Sequence, residues 1–219
     1  MSKYSQGYLG AQIGKLGNAV GRRWKGRNVM AVYQPNIHDA RTTPQLLVRA
    51  RFGRLGQLAG FLREALLIGM GYVAQQYRLT EGTQFVKRNW PNVTALTPDD
   101  VTVNYSALRL SEGSLPEATF GAVDYGTSTH LHIEAPLSGG SDQPGASVND
   151  QVYLVAICPD RSQAVVGSPS LRSAEKVSVN VPASWDGMEV HVYGFAISAL
   201  TAQKKSCSVT TYLGNGEVA

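Results

Sequence analysis

Cysteine is nearly absent from this chain of 219 residues: Cys158 and Cys207 are the only two. At most one bridge is available, so no disulfide framework holds the chain and its stability must come from a packed core. Both fall in strand-like segments, which leaves a single bridge and two buried thiols as the alternatives. Charge is also sparse, with Asp, Glu, Lys and Arg at 16% against 43% apolar residues. That balance excludes a highly charged disordered chain and fits a globular one. Long apolar runs are missing too. Met1 to Gln12 is polar and glycine-rich, without the apolar core of roughly 7–15 residues that a secretory leader needs. The most apolar stretch, Ala65 to Ala74, is bounded by Arg63, Glu64 and Arg78 and falls short of the roughly 20 residues of a bilayer span. The expectation is synthesis in the cytoplasm without a signal peptide, and no membrane partner.

Acidic residues are scarce in the first part of the chain alone. Residues 1–90 hold 14 Lys and Arg against three acids (Asp39, Glu64 and Glu81), a balance of +11. Residues 91–219 hold six against 13, a balance of −7. The formal net charge of +4 conceals this division. Two halves of opposite sign meet different partners, or one half meets the other half of a neighbouring copy. A basic first part is also the electrostatic footprint of nucleic-acid binding.

Between Gly7 and Gly26, glycine recurs every three to five residues, interleaved with Lys15, Arg22, Arg23, Lys25 and Arg27. Each glycine costs a helix about 1 kcal/mol, so turns and extended pieces are expected here. Val29 to Tyr33 reads as a strand stopped at Pro35. Thr42-Thr43-Pro44 is a helix start, with a hydroxyl cap candidate before a first-turn proline. Leu47, Ala50, Leu55, Leu58, Leu62, Ala65 and Leu66 follow at helical spacing. The spacing predicts one or two helices from about Pro44 to Gln76, broken at Gly53 or Gly69, with an apolar stripe that belongs to a core.

Trp90-Pro91-Asn92 marks a boundary, after which the period becomes two. Val101-Val103-Tyr105, Leu131-Ile133, Val152-Leu154-Ala156, Val177-Val179-Val181 and Val190-Val192 alternate along short segments separated by turn residues. The fold class expected is α+β, mainly β: a short basic arm and helical segment over residues 1–90, then an immunoglobulin-like β-sandwich over residues 91–219.

Several of these elements carry a resemblance. Gly14-Lys15-Leu16-Gly17-Asn18, Val20-Gly21, Trp24-Lys25-Gly26 and Pro44-Gln45 stand in the first part, with Arg49-Ala50-Arg51-Phe52 after them. Asp150-Gln151-Val152, Arg172-Ser173, Val181-Pro182, Trp185 with Gly187, and Thr211-Tyr212 with Gly214 stand in the second. Together they resemble an uncharacterised family abundant in Bacteroidota and their phages, over nearly the whole chain. Arg22-Arg23 depart from that pattern, where aromatic or neutral residues are expected, and make the arm more basic. The resemblance implies no activity and no catalytic residues; occurrence in phages implies a virion-structural role.

Signatures of chemistry are as sparse as cysteine. Gly10 to Leu16 superficially resembles a phosphate loop, but only three residues separate Gly10 from Gly14, and leucine stands where Ser or Thr would hold magnesium. His130, His132 and Glu134 alternate on one strand face; a metal site and a solvated outer face are the two readings, the second being preferred. No Gly-x-Ser-x-Gly element occurs, and neither cysteine has a neighbouring histidine. Asp99-Asp100 suits a turn. The chain is therefore read as a non-catalytic protein without a cofactor. The residues expected to bind a partner are Lys15, Arg22, Arg23, Trp24, Lys25 and Arg27. Protein subunits of an assembly, self or heterologous, are the first expectation. Nucleic acid, with its phosphates neutralised and a base stacked on Trp24, is the second. A glycan or other ligand on the loop from Ser138 to Ala146 and at Asn149 is the third.

Overall fold

The computed structural model describes residues 2–4, 11–35, 39, 41–126, 131–138, 145–199 and 206–218. Two compact units divide the chain, Met1–Thr42 and Thr43–Ala219. The change of period at Trp90 thus falls inside the second unit, where it marks the end of the helical segment.

The first unit is a sheet rather than a loose arm. Strands β1 (Ser2–Tyr4), β2 (Gly14–Leu16), β3 (Ala19–Trp24) and β4 (Arg27–Val32) form an antiparallel sheet in the order β1-β4-β3-β2. Glycine spacing that disfavours a helix here serves two hairpin turns, Gly17-Asn18 and Lys25-Gly26.

The second unit begins with α1 (Thr43–Phe61), whose first turn contains Pro44. It continues through α2 (Arg63–Gly69), α3 (Gly71–Gln76) and α4 (Glu81–Asn89). The chain bends at Leu62 and Met70; Gly53 lies inside α1, where nothing obstructs the helix. α4 was not expected from the helical stripe. Its start is fixed by Thr80, whose hydroxyl accepts from the Thr83 N–H at 3.2 Å. A short hairpin of β5 (Val93–Ala95) and β6 (Val101–Val103) follows, with Asp99 and Asp100 in its turn.

Strands β7 (His132–Pro136), β8 (Gln151–Cys158), β9 (Gln163–Val166), β10 (Ser170–Leu171), β11 (Lys176–Asn180), β12 (Glu189–Ile197) and β13 (Thr211–Glu217) complete the unit. The main sheet runs β10-β8-β12-β13, with β9 also on β8; the smaller sheet pairs β7 with β11. All these pairings are antiparallel. The fold is α+β and mainly β, and the two sheets pack as a sandwich.

Side-chain alternation divides the main sheet between two cores. Val152, Leu154, Ala156, Val190, Val192 and Ala196 pack with Ile133, Ala135, Val177, Val179 and Trp185 between the sheets. Val155, Ile157, Tyr193, Phe195 and Ile197 face the other way, onto Leu55, Leu58, Leu62, Leu66, Met70 and Phe85 of the helices. The helical stripe is core, as its spacing predicts. The central strands therefore have no wet face, which is why the run Val152–Cys158 is continuously apolar rather than alternating. Cys158 and Cys207 are both buried and not joined by a disulfide, because they belong to the cores on opposite faces of the main sheet.

Gly194 in β12 serves packing rather than a turn. A Cβ there would lie 2.3 Å from the Phe120 ring. The glycine lets residues 120–124 cross the sheet and add an edge to β7 through the bridges Phe120↔Leu137 and Asp124↔Glu134.

Candidate functional site

The sequence places its candidate residues on the first unit, and the sheet sorts them. β3 and β4 are joined by two residues, Lys25 at φ 44° and Gly26 at φ 74°. Positive φ at both central positions is the type I′ arrangement, whose twist matches that of paired strands. The tip is consequently a fixed turn with Trp24 and Arg27 in register across it.

Register then assigns faces. Lys15 pairs with Val20, Arg22 with Val29, and Trp24 with Arg27, so Lys15, Arg22, Trp24 and Arg27 share one side of the sheet. Arg23 lies on the other, and Lys25 occupies the turn. Arg22, Arg23, Lys15 and Lys25 are exposed, Arg27 is half-buried, and Trp24 is 46% exposed despite its size. Lys15 Nζ sits 3.9 Å above the Tyr33 ring and Lys25 Nζ 5.7 Å from the Trp24 ring. Such contacts contribute about 0.5–1 kcal/mol at exposed sites and orient both ammonium groups. Leu16 and Val32 are also exposed, but flank Ala19 at the opposite end of the sheet from the tip. The unit thus has a cationic tip with Trp24, while Lys15 and Tyr33 lie at the other end beside the exposed Leu16 and Val32. Within residues 1–42 seven Lys and Arg stand against Asp39 alone.

The histidine strand has other employment. His132 and Glu134 share the outer face of β7, while Ile133 and Ala135 point inward, as alternation requires. His132 Nδ1 meets Asn180 Oδ1, and its Nε2 lies 3.0 Å from Glu134 Oε1. Lys176 Nζ donates to both Glu134 oxygens at 2.8 Å and, chiefly through that bond, holds the carboxyl below its usual range. His130 lies outside the described residues, as does most of the Ser138 to Ala146 loop. Among the described residues, no three His, Cys, Asp or Glu side chains gather as a metal would need.

His191 is in the other layer, on the helical face of the main sheet. Its ring stacks on Tyr105 with centroids 4.5 Å apart, and its Nδ1 lies 2.9 Å from the Tyr212 hydroxyl. The Tyr193 hydroxyl donates to the Tyr105 carbonyl at 2.7 Å, and Arg54 Nη2 reaches the Tyr105 hydroxyl at 3.3 Å. Burial lowers the His191 pKa from 6.5, opposed by Glu189, and burial likewise raises that of Tyr193. This cluster ties α1 and the Tyr105 turn to the sheet. Sequence reasoning missed it; the only trace was His191 alternating with Tyr193 and Phe195 along one strand face.

The motif elements in the second half prove to be structural. Arg172 Nε lies 3.5 Å from Asp150 Oδ2, and Arg172 donates to the carbonyls of Glu117 and Pro116 at 3.1 and 2.7 Å. Asp150 accepts from the N–H groups of Ser147 and Ala199 at 2.8 and 3.1 Å. Trp185 is fully buried and donates to Gln163 Oε1 at 3.1 Å. No helix among the described residues is long and apolar enough to cross a membrane.

The chain matches no curated protein and no solved structure. A family model does match residues 10–214, from the first unit through most of β13. It takes in all six candidate residues, the Asp150–Arg172 pair and Trp185. The chain belongs to DUF6266, a family of unknown function.

Proposed function

We propose that this chain is a non-catalytic assembly subunit that docks through its basic hairpin onto an acidic protein surface. The neighbour is another copy or a different subunit of a repetitive particle such as a virion. The observation that carries this reading is the tip itself: Arg22, Trp24 and Arg27 on one face of a rigid type I′ hairpin, with Lys25 at its apex. Exposed tryptophan beside arginine is the composition of a binding hot spot. The second unit, residues 43–219, is of the opposite sign to the first, with 13 Lys and Arg against 15 acids.

The test is native mass against salt. Multi-copy species at about 50 mM salt should shrink towards the 23.5 kDa subunit near about 500 mM, where screening lengths fall well below 10 Å. Reversing Arg22, Arg23 and Lys25 to Glu should release the subunit at low salt. A chain that sediments as monomer at every salt concentration, alone and in extracts of its source, sinks the proposal.

Nucleic acid is the second reading, favoured by the same cationic face with one aromatic. It requires affinity that falls steeply with salt and weakens for all sequences alike when Arg22, Arg23 and Lys25 become Ala. Binding indifferent to salt removes it.

A further inference from the structure

Residues 104–111 contain a single 3-10 turn, Tyr105–Ala107, yet their backbone is tied down at several points. Asn89, fully buried, donates to the carbonyls of Phe85 and Arg109 at 3.0 and 2.9 Å and accepts the Arg109 N–H at 2.8 Å. Asn92 donates to the Ala107 carbonyl at 2.8 Å. Thr210 Oγ1 accepts the N–H groups of Leu110 and Ser111 at 2.8 and 2.7 Å. Backbone that would otherwise be free is thus pinned from both sides, by the buried Asn89 and the half-buried Asn92 and Thr210. Buried polar groups fully satisfied in this way specify one arrangement.

What they border is an open cleft of about 450 Å³, between the end of α4, this loop and Val209-Thr210. That size lies within the range of small-molecule sites, roughly 300–1,000 Å³. Two arginines from separate elements line it, Arg88 and Arg109. Arg88 has an ordinary explanation. It stands in the last turn of α4, where a cation complements the helix dipole, and Glu112 holds its Nε and Nη2 edge while also accepting from Gln84 at 2.7 Å. Its Nη1 donors remain. Arg109 has no such explanation. Its backbone is fixed by Asn89, its side chain is exposed, and no side-chain partner stands among the described residues. Glu112 offsets one charge of the two, so the cavity keeps a net positive charge. The remaining lining is mixed, with Pro91, Leu108 and Val209 beside Asn92, Ser106 and Thr210.

We infer that this cavity binds a small organic anion. A carboxylate or phosphate would lie between Arg109 and the Nη1 side of Arg88, as charge-assisted bonds to a planar fork favour. The apolar body of the ligand would lie against Pro91, Leu108 and Val209. The lining residues all belong to the second unit.

Calorimetric titration of the full chain with inorganic phosphate, citrate and adenosine monophosphate tests this. Citrate or adenosine monophosphate should bind with a dissociation constant below about 1 mM, and the carboxylate and phosphate sources are told apart by which does. Arg109→Ala should weaken that binding at least about tenfold with circular dichroism unchanged, and Arg109→Lys should retain part of it. The Arg22→Ala, Arg23→Ala, Lys25→Ala chain should bind as the parent does. No heat from any probe up to about 10 mM overturns the inference. So does unchanged affinity in Arg109→Ala, loss in the hairpin variant, or inorganic phosphate binding as tightly as the organic probes.

Discussion

Arg172 and Asp150 are charged groups exposed by only 4% and 1%. Removing one partner from a buried pair leaves an uncompensated charge, at a cost of roughly 3–5 kcal/mol. Arg172→Met should sit near the lower end, about 3 kcal/mol, because two backbone N–H groups still reach Asp150. Urea denaturation measures it, and adding Asp150→Asn should recover part of the loss. A cost under about 1 kcal/mol would mean the pair is solvated. His191 gives a pH signature. Its folded pKa is lowered, so the unfolded chain takes up the proton first as pH falls. Stability from this residue is therefore full above its ordinary value of 6.5, declines as pH drops through it, and levels off below the folded value. Between pH 7.5 and 5.5, His191→Gln should lose less urea resistance than the parent. An equal loss in both chains assigns the acid sensitivity elsewhere.

At the scale of elements, the hairpin turn makes the sharpest prediction. Lys25 holds φ 44° without being glycine, and Asn is better suited to that position of a type I′ turn. Lys25→Asn should slow amide exchange across β3 and β4, while Gly26→Val, at φ 74°, should speed it. The same turn shows what could be read in advance. Glycine spacing pointed away from a helix, and the alternation of β11 and of the start of β12 was visible from their valines, whereas the alternation expected of Val152, Leu154 and Ala156 is in β8 a continuous apolar run. The helical stripe from Leu55 to Leu66 was visible as well. α4 was not, because it buries only Gln84, Phe85 and Asn89 and two of those are polar. The loop from Asn104 to Ser111 was illegible for a similar reason. Its shape is set by Asn89, Asn92 and Thr210, and no local pattern says which backbone a distant Asn or Thr will hold. Asp150 and Arg172 were noticed as separate motif elements; that they meet is a property of β8 and β10 lying side by side.

For the whole molecule, the division at Thr42 predicts that a chain of residues 43–219 unfolds in one cooperative transition near that of the parent. Multiple transitions by circular dichroism and fluorescence would contradict it. A sheet covered on both faces also sets the order in which the second unit can be completed. Leu55 and Leu58 leave the ribosome roughly 140 residues before Phe195, which packs in the same core. At about 5–20 residues per second, the helices wait on the order of 10–30 s for their sheet. During that interval the nascent chain shows an apolar helical stripe that only α4 and the β5–β6 hairpin can begin to cover. The demand on holding chaperones thus falls on the helices, although the strands supply most of the finished fold.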